Sequence, residues 1–233
     1  MSPAHVAALL VVAMVTAAAG RQEHGSIEGR ITFAGTPPPP TTVAENGGAQ
    51  PVLYVDRSGG LRHALVYLPD GRVAGPVAAE ARVNQRNFIF QPQVLAVRAG
   101  QPVRFTNDDP SNHNVRAQGA GPENTFSINT APGSVGPASR TFVATPPDRP
   151  LQLSCDIHPW MAAWLYVFEH DLFAVTGQDG RYRIDNVPPG RHRIAVRQPS
   201  GRLARDLSVE VRAGETTSLD VRFTSADLGM PSR

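Results

Sequence analysis

From residue 24 onward the chain is broken into short runs in which apolar and polar residues alternate, and Gly or Pro closes most of them. The chain has 21 glycines and 22 prolines, nearly all of them spread among these runs, so little room is left for a long amphipathic helix. Proline removes a backbone donor, and both residues break the helical repeat. A period of two closed by turn residues marks strands joined by tight connections, so the fold class expected is all-β, as packed β-sandwiches.

Three blocks can be separated. The first, 24–75, opens with the alternating run Ile27 to Phe33, passes through four prolines (Pro37 to Pro40) and continues with Leu65 to Leu68. The second, 81–168, carries a run rich in β-formers from Phe88 to Val97 and a strand at Val103 to Thr106. It closes with strands at Leu151 to Leu153 and Trp164 to Phe168. The third, 170–224, begins with Phe173 to Thr176, which leads into a hairpin-type turn with Asp179-Gly180 at its tip. Tyr182, Ile184 and Val187 follow, then His192 to Val196, Leu207 to Val211 and Leu219 to Phe223.

Residues 1–20 stand apart. The apolar stretch from Val6 to Ala19 is too short and Ala-rich for a membrane span, and charge begins abruptly at Arg21. This reads as a secretory signal peptide, so a periplasmic or secreted location is expected, with no stable membrane insertion after cleavage; an uncleaved N-terminal anchor is the alternative. The basic residues are all arginine and nearly balance the acids, 22 against 20. They are dispersed along the chain rather than gathered with aromatics, which gives nucleic-acid binding no support.

An exported chain with a single cysteine cannot pair it internally. That residue lies in Cys155-Asp156-Ile157-His158-Pro159-Trp160-Met161, which orders thiolate, imidazole and thioether within one loop. Taken singly, each has an ordinary role in a core or on a surface; their coincidence within one loop is what points to a metal. A mononuclear blue-copper site takes two His and one Cys in a plane with a weak axial Met, and His113 supplies the missing imidazole. Zinc would favour a harder or thiolate fourth donor, and iron–sulfur clusters need more cysteines. One copper ion is the expected cofactor, held by His113, Cys155, His158 and Met161.

The middle block resembles the cupredoxins, the plastocyanin and amicyanin family. The likeness is carried by Phe90-Gln91-Pro92 to Gly100 with Val103 to Asp108, by Asn112-His113-Asn114-Val115, and by the Cys155-x2-His158-x2-Met161 spacing. The resemblance implies a Greek-key sandwich, with His113, Cys155 and His158 in the ligand plane and Met161 axial. It implies that Asn114 ties the first ligand strand to the Cys loop. It also makes Pro159 and Trp160 a patch for electron entry, Trp160 packing under the loop being the alternative.

The outer blocks resemble a carboxypeptidase regulatory-like (transthyretin-like) sandwich. This rests on the strands near Ile27 and Ala64 to Leu68, the Thr-x-x-Asp-Gly-Arg turn at Thr176 to Arg181, and Pro188-Pro189-Gly190. The copper domain is then inserted in, or packed on, this second sandwich. The combination is similar to secreted plastocyanin-like proteins often labelled methylamine-utilisation proteins, a label that brings no activity with it.

The expected function is one-electron transfer to and from a redox partner protein, without enzymatic turnover. A copper carrier or chaperone, and a cell-envelope interaction module with a structural metal, are the alternatives. His170, in Glu169-His170-Asp171, is expected in a solvated turn.

Overall fold

The structure is a computed structural model, and it describes residues 23–229 apart from 45, 47, 119, 120 and 136–138. The segment read as a signal peptide lies outside the described residues. Apart from two single-turn 3₁₀ segments, the regular structure is strand.

The first block contributes β1 (Gly25–Ala34), β2 (Thr41–Val43), β3 (Gly48–Gln50) and β4 (Leu65–Tyr67). The middle block contributes β5 (Ala81–Arg86), β6 (Ile89–Gln91), β7 (Val94–Arg98) and β8 (Val103–Asn107). It continues with β9 (His113–Gln118), β10 (Phe126–Thr130), β11 (Leu151–Ser154) and β12 (Ala162–Phe168). The last block holds β13 (Phe173–Val175), β14 (Arg181–Val187) and β15 (Gly190–Gln198). It ends with β16 (Leu203–Val211), β17 (Thr216–Ser218) and β18 (Val221–Thr224).

Strands of the first and last blocks share sheets. In one, β1 pairs antiparallel with β14 and parallel with both β17 and β18; the other runs β13-β4-β15-β16. Ile27, Ile31 and Phe223 from the first face Val66, Ile194 and Val196 from the second in one apolar core. The middle block folds on itself, with a sheet β10-β9-β11-β12-β7 packed on β6-β5-β8. Its core holds Phe90, Phe105, Val115, Leu153 and Leu165, and Cys155 and Met161 belong to it. The sandwich of the middle block is therefore set between the two parts of a second β-sandwich.

β12 explains how the two are joined. Successive side chains of a strand point to opposite faces. Ala163, Leu165 and Val167 enter the middle core, whereas Tyr166 and Phe168 meet Leu65, Tyr67 and Ala195 of the outer sandwich. Burial on both faces accounts for a strand that is nearly all apolar.

Three expectations need correction. The run from Phe88 to Val97 is not one strand: Pro92 lacks the N–H a ladder requires, and the chain divides into β6 and β7 around it. The Asp179-Gly180 turn does not close a hairpin, because β13 pairs with β4 while β14 pairs with β1. It carries the chain from one sheet to the other, with Gly180 at φ 79° against the Ile31 carbonyl, a space no Cβ could share. His170 is buried, not solvated: its ring packs against Phe168 and Phe173, and its Nδ1 accepts from the Leu172 N–H at 3.1 Å.

Candidate metal centre

The ladder between β11 and β12 ends at the pair Ser154–Ala162. The residues from Cys155 to Met161 therefore form the loop that closes this hairpin, and Met161 N–H donates to the His158 carbonyl at 2.9 Å to tighten it. β9 runs antiparallel to β11, with Arg116 opposite Ser154, so its first residue, His113, lies at the same end. Strand register alone thus brings residues from two parts of the chain to one place.

His113, Cys155 and His158 are buried there, with donor atoms all within 4.8 Å of one another. The two Nδ1 atoms are 2.8 Å apart, and Cys155 Sγ lies 3.9 Å from that of His113 and 3.7 Å from that of His158. The point equidistant from these three atoms is about 2 Å from each, the length first-row metals take to imidazole nitrogen and close to that for thiolate. Two nitrogens and a sulfur form the in-plane set of a type 1 copper centre, so the residues present fit that ion. Met161, the fourth expected donor, is fully buried in the same core as Cys155.

His113 and Cys155 are held from behind. His113 Nε2–H donates to the Asp109 carboxylate at 2.9 Å, which leaves Nδ1 with its lone pair toward the other two donors. Asp109 is itself buried and accepts from the N–H groups of Asn87 at 2.6 Å and Phe88 at 2.9 Å. Buried Asn107 fixes the turn that carries Asp109 and His113. Its side-chain oxygen accepts from Asp109 N–H, and its amide donates to the carbonyls of Ser111, Thr130 and Ala131.

Asn114, expected to tie the strand to the loop, does so: its Oδ1 accepts from Asp156 N–H at 2.7 Å and from the Cys155 thiol at 3.4 Å. Its amide donates to the Asp156 carboxylate at 2.7 Å.

Two residues cover the imidazoles. Phe88 stands edge-on to His113 and His158, with ring centres 5.6 and 5.3 Å away. Trp160 lies 5.4 Å from His158, and its Nε1–H donates to the Phe88 carbonyl at 3.0 Å. Trp160 therefore packs, half-buried, into the site, while Pro159 and Ile157 are exposed beside it. Sequence reasoning missed Asp109 and Phe88. The signal available for Asp109 was a carboxylate four positions before the first histidine; for Phe88 there was none, because a tight turn at Asn87-Phe88 contains no glycine.

Comparison with known proteins gives three kinds of result. Residues 168–224 match the model of the carboxypeptidase regulatory-like domain. A search of curated protein sequences found no match. Solved structures similar to part of the chain include a purple cupredoxin from Nitrosopumilus maritimus, 19% identical, covering 37% of this chain and 98% of that one at a TM-score of 0.31. A reduced amicyanin variant is 22% identical over 44% of this chain and 97% of its own, at a TM-score of 0.32. A copper-containing nitrite reductase from Thermus scotoductus is 18% identical over 60% of this chain and 28% of its own, at a TM-score of 0.34. The chain combines a sandwich that carries a buried His-Cys-His cluster, and has cupredoxins among its structural neighbours, with a second sandwich of which residues 168–224 match the carboxypeptidase regulatory-like domain.

Proposed function

We propose that the chain is an exported, mononuclear type 1 copper protein that passes single electrons to and from a partner protein and turns over no substrate. His113, Cys155 and His158 would hold the ion, with Met161 as a fourth donor. The observation that carries the reading is the convergence of three buried donor atoms on one point at metal-bond distance. Bound copper would supply a centre able to gain and lose one electron.

The residues around it do the rest. Asp109 and Asn114 keep the first histidine and the Cys loop in place, so little needs to move when charge changes. Phe88 and Trp160 exclude water from the imidazoles, and a low local dielectric strengthens the surrounding hydrogen bonds. With four protein donors no position is left open for a substrate. Exposed Ile157 and Pro159, beside the His158 ring, form the surface at which a redox partner would dock. Export rests on the apolar leader ahead of residue 21.

Purified protein loaded with Cu(II) should show intense thiolate-to-copper visible absorption, and Cys155→Ser should abolish it. A colourless protein carrying one equivalent of Cu(II) overturns the proposal. Release of the copper to an acceptor protein faster than electron exchange would replace it with copper delivery.

A further inference from the structure

The two sandwiches leave a cleft between them, away from the Cys loop. β13 is the edge strand of one sheet and β7 of another, and they do not pair with each other. Between them opens a space of about 370 Å³, walled by Leu95, Phe173 and Val175, with Arg62 and His63 among its lining. Small-molecule sites have this size, this largely apolar lining and this position at a junction of domains.

Its polar residues are unusual. His63 is only 5% exposed, has φ 63°, and neither ring nitrogen has a hydrogen-bond partner among the described residues. Burial holds its pKa down to about 4, with help from the Arg62 charge, so the ring is neutral and offers one N–H and one lone pair. Gln93, 3% exposed, lies close enough to favour the charged ring slightly, but not in hydrogen-bonding geometry, and its Oε1 is also unpartnered. The Arg62 guanidinium makes no ion pair among the described residues. A buried, left-handed histidine with two unmet nitrogens costs stability that folding alone does not explain.

We propose that this cleft binds a small acid with an apolar side chain and a hydrogen-bond donor on the α-carbon, an α-amino or α-hydroxy acid. Its carboxylate pairs with Arg62, and its α-donor meets the unprotonated nitrogen of His63. The remaining His63 N–H turns to Gln93 Oε1. The side chain lies against Leu95, Phe173 and Val175. Neither the metal centre nor its residues take part.

The test is calorimetric titration of the full chain with four probes: L-leucine, leucic acid, isocaproate, which lacks the α-donor, and leucinamide, which lacks the carboxylate. Saturable one-to-one binding of leucine or leucic acid is expected, with isocaproate and leucinamide at least about tenfold weaker because buried polar groups are left unpaired. Arg62→Gln and His63→Asn should each weaken the better ligand by about tenfold or more, while thermal melting shows both variants folded. The proposal falls if neither donor-bearing acid saturates the protein below about 10 mM. It also falls if both folded variants bind as the wild type does.

Discussion

At the scale of single residues, Asp109 sits where only a carboxylate fits. Three donors, the N–H groups of Asn87 and Phe88 and Nε2–H of His113, converge on its two carboxylate oxygens. An amide cannot replace it, since one oxygen would become an NH₂ facing a donor. Asp109→Asn should destabilise the metal-free protein by about 1–3 kcal/mol, the cost of leaving buried donors unmet. It should also weaken copper binding by about 10–100-fold, measured by chelator competition, because the His113 ring loses its anchor. Wild-type copper affinity in the variant would reduce Asp109 to a loop-structuring residue. His63 governs a different property. Its folded pKa of about 4 lies below the 6.5 of an unfolded histidine, so in that interval the unfolded chain binds the extra proton. Its contribution to stability is present above pH 6.5 and is lost as pH falls toward 4, by at most about 3 kcal/mol. Burial lowers His170 in the same direction. The lowered carboxylates, such as Asp56 and Asp227, act only at lower pH, below their unfolded values. Asn accepts positive φ and does not titrate, so His63→Asn should flatten, without abolishing, the slope of stability between pH 4 and 6.5 in urea unfolding of the metal-free protein. An unchanged slope would place His63 in water.

Among the elements, the β5–β6 hairpin does most to finish the site. Arg86 pairs with Ile89, and the two residues between them, Asn87 and Phe88, have φ 57° and 58°. This is the left-handed pair a two-residue hairpin turn requires, and a phenylalanine there is strained. The conformation is held by Asp109, and what it places over both imidazoles is an aromatic ring. Phe88→Gly creates the Asn-Gly pair this turn prefers, so unfolding of the metal-free protein should shift by no more than about 1 kcal/mol. Loss of the cover should let a chelator strip bound copper several times faster, and equal stripping rates would show that the ring shields nothing. The hairpin also marks where sequence reading stops. The Cys155-to-Met161 spacing and the histidine after the Asn-Asp-Asp-Pro turn were legible because ligand chemistry restricts residue type and loop closure restricts distance. Most strands were legible through their period of two. What supports these side chains was not, because Asp109 looks like any turn aspartate until the fold sets a buried ring and a hairpin tip beside it. The sheet exchange at Asp179-Gly180 was hidden for a related reason: a tight turn fixes local direction and says nothing of which sheet receives the next strand.

For the molecule as a whole, the question is whether the inserted sandwich behaves as a separate body. Each sandwich has its own core, but a third apolar cluster, with Leu65, Tyr67 and Ala195 on one side and Val94, Tyr166 and Phe168 on the other, belongs to both. Phe168, at the end of β12, stacks on Phe173 of β13 with ring centres 4.8 Å apart, so the return into the outer sandwich is packed rather than slack. Ala99 N–H adds a backbone bond at 2.7 Å to the Phe168 carbonyl, anchoring the same end of β12. An interface built from continuous strands of both sheets should couple their unfolding, unlike the polar contacts that usually join domains. Metal-free protein is therefore expected to give one calorimetric transition. Tyr166→Ala removes a large buried ring from the shared cluster and leaves both separate cores untouched. It should cost about 3–5 kcal/mol and split the melt into two transitions. Two transitions in the wild type, or a single unshifted one in the variant, would show that the shared cluster couples nothing, and that the inserted sandwich is carried by the outer one without depending on it.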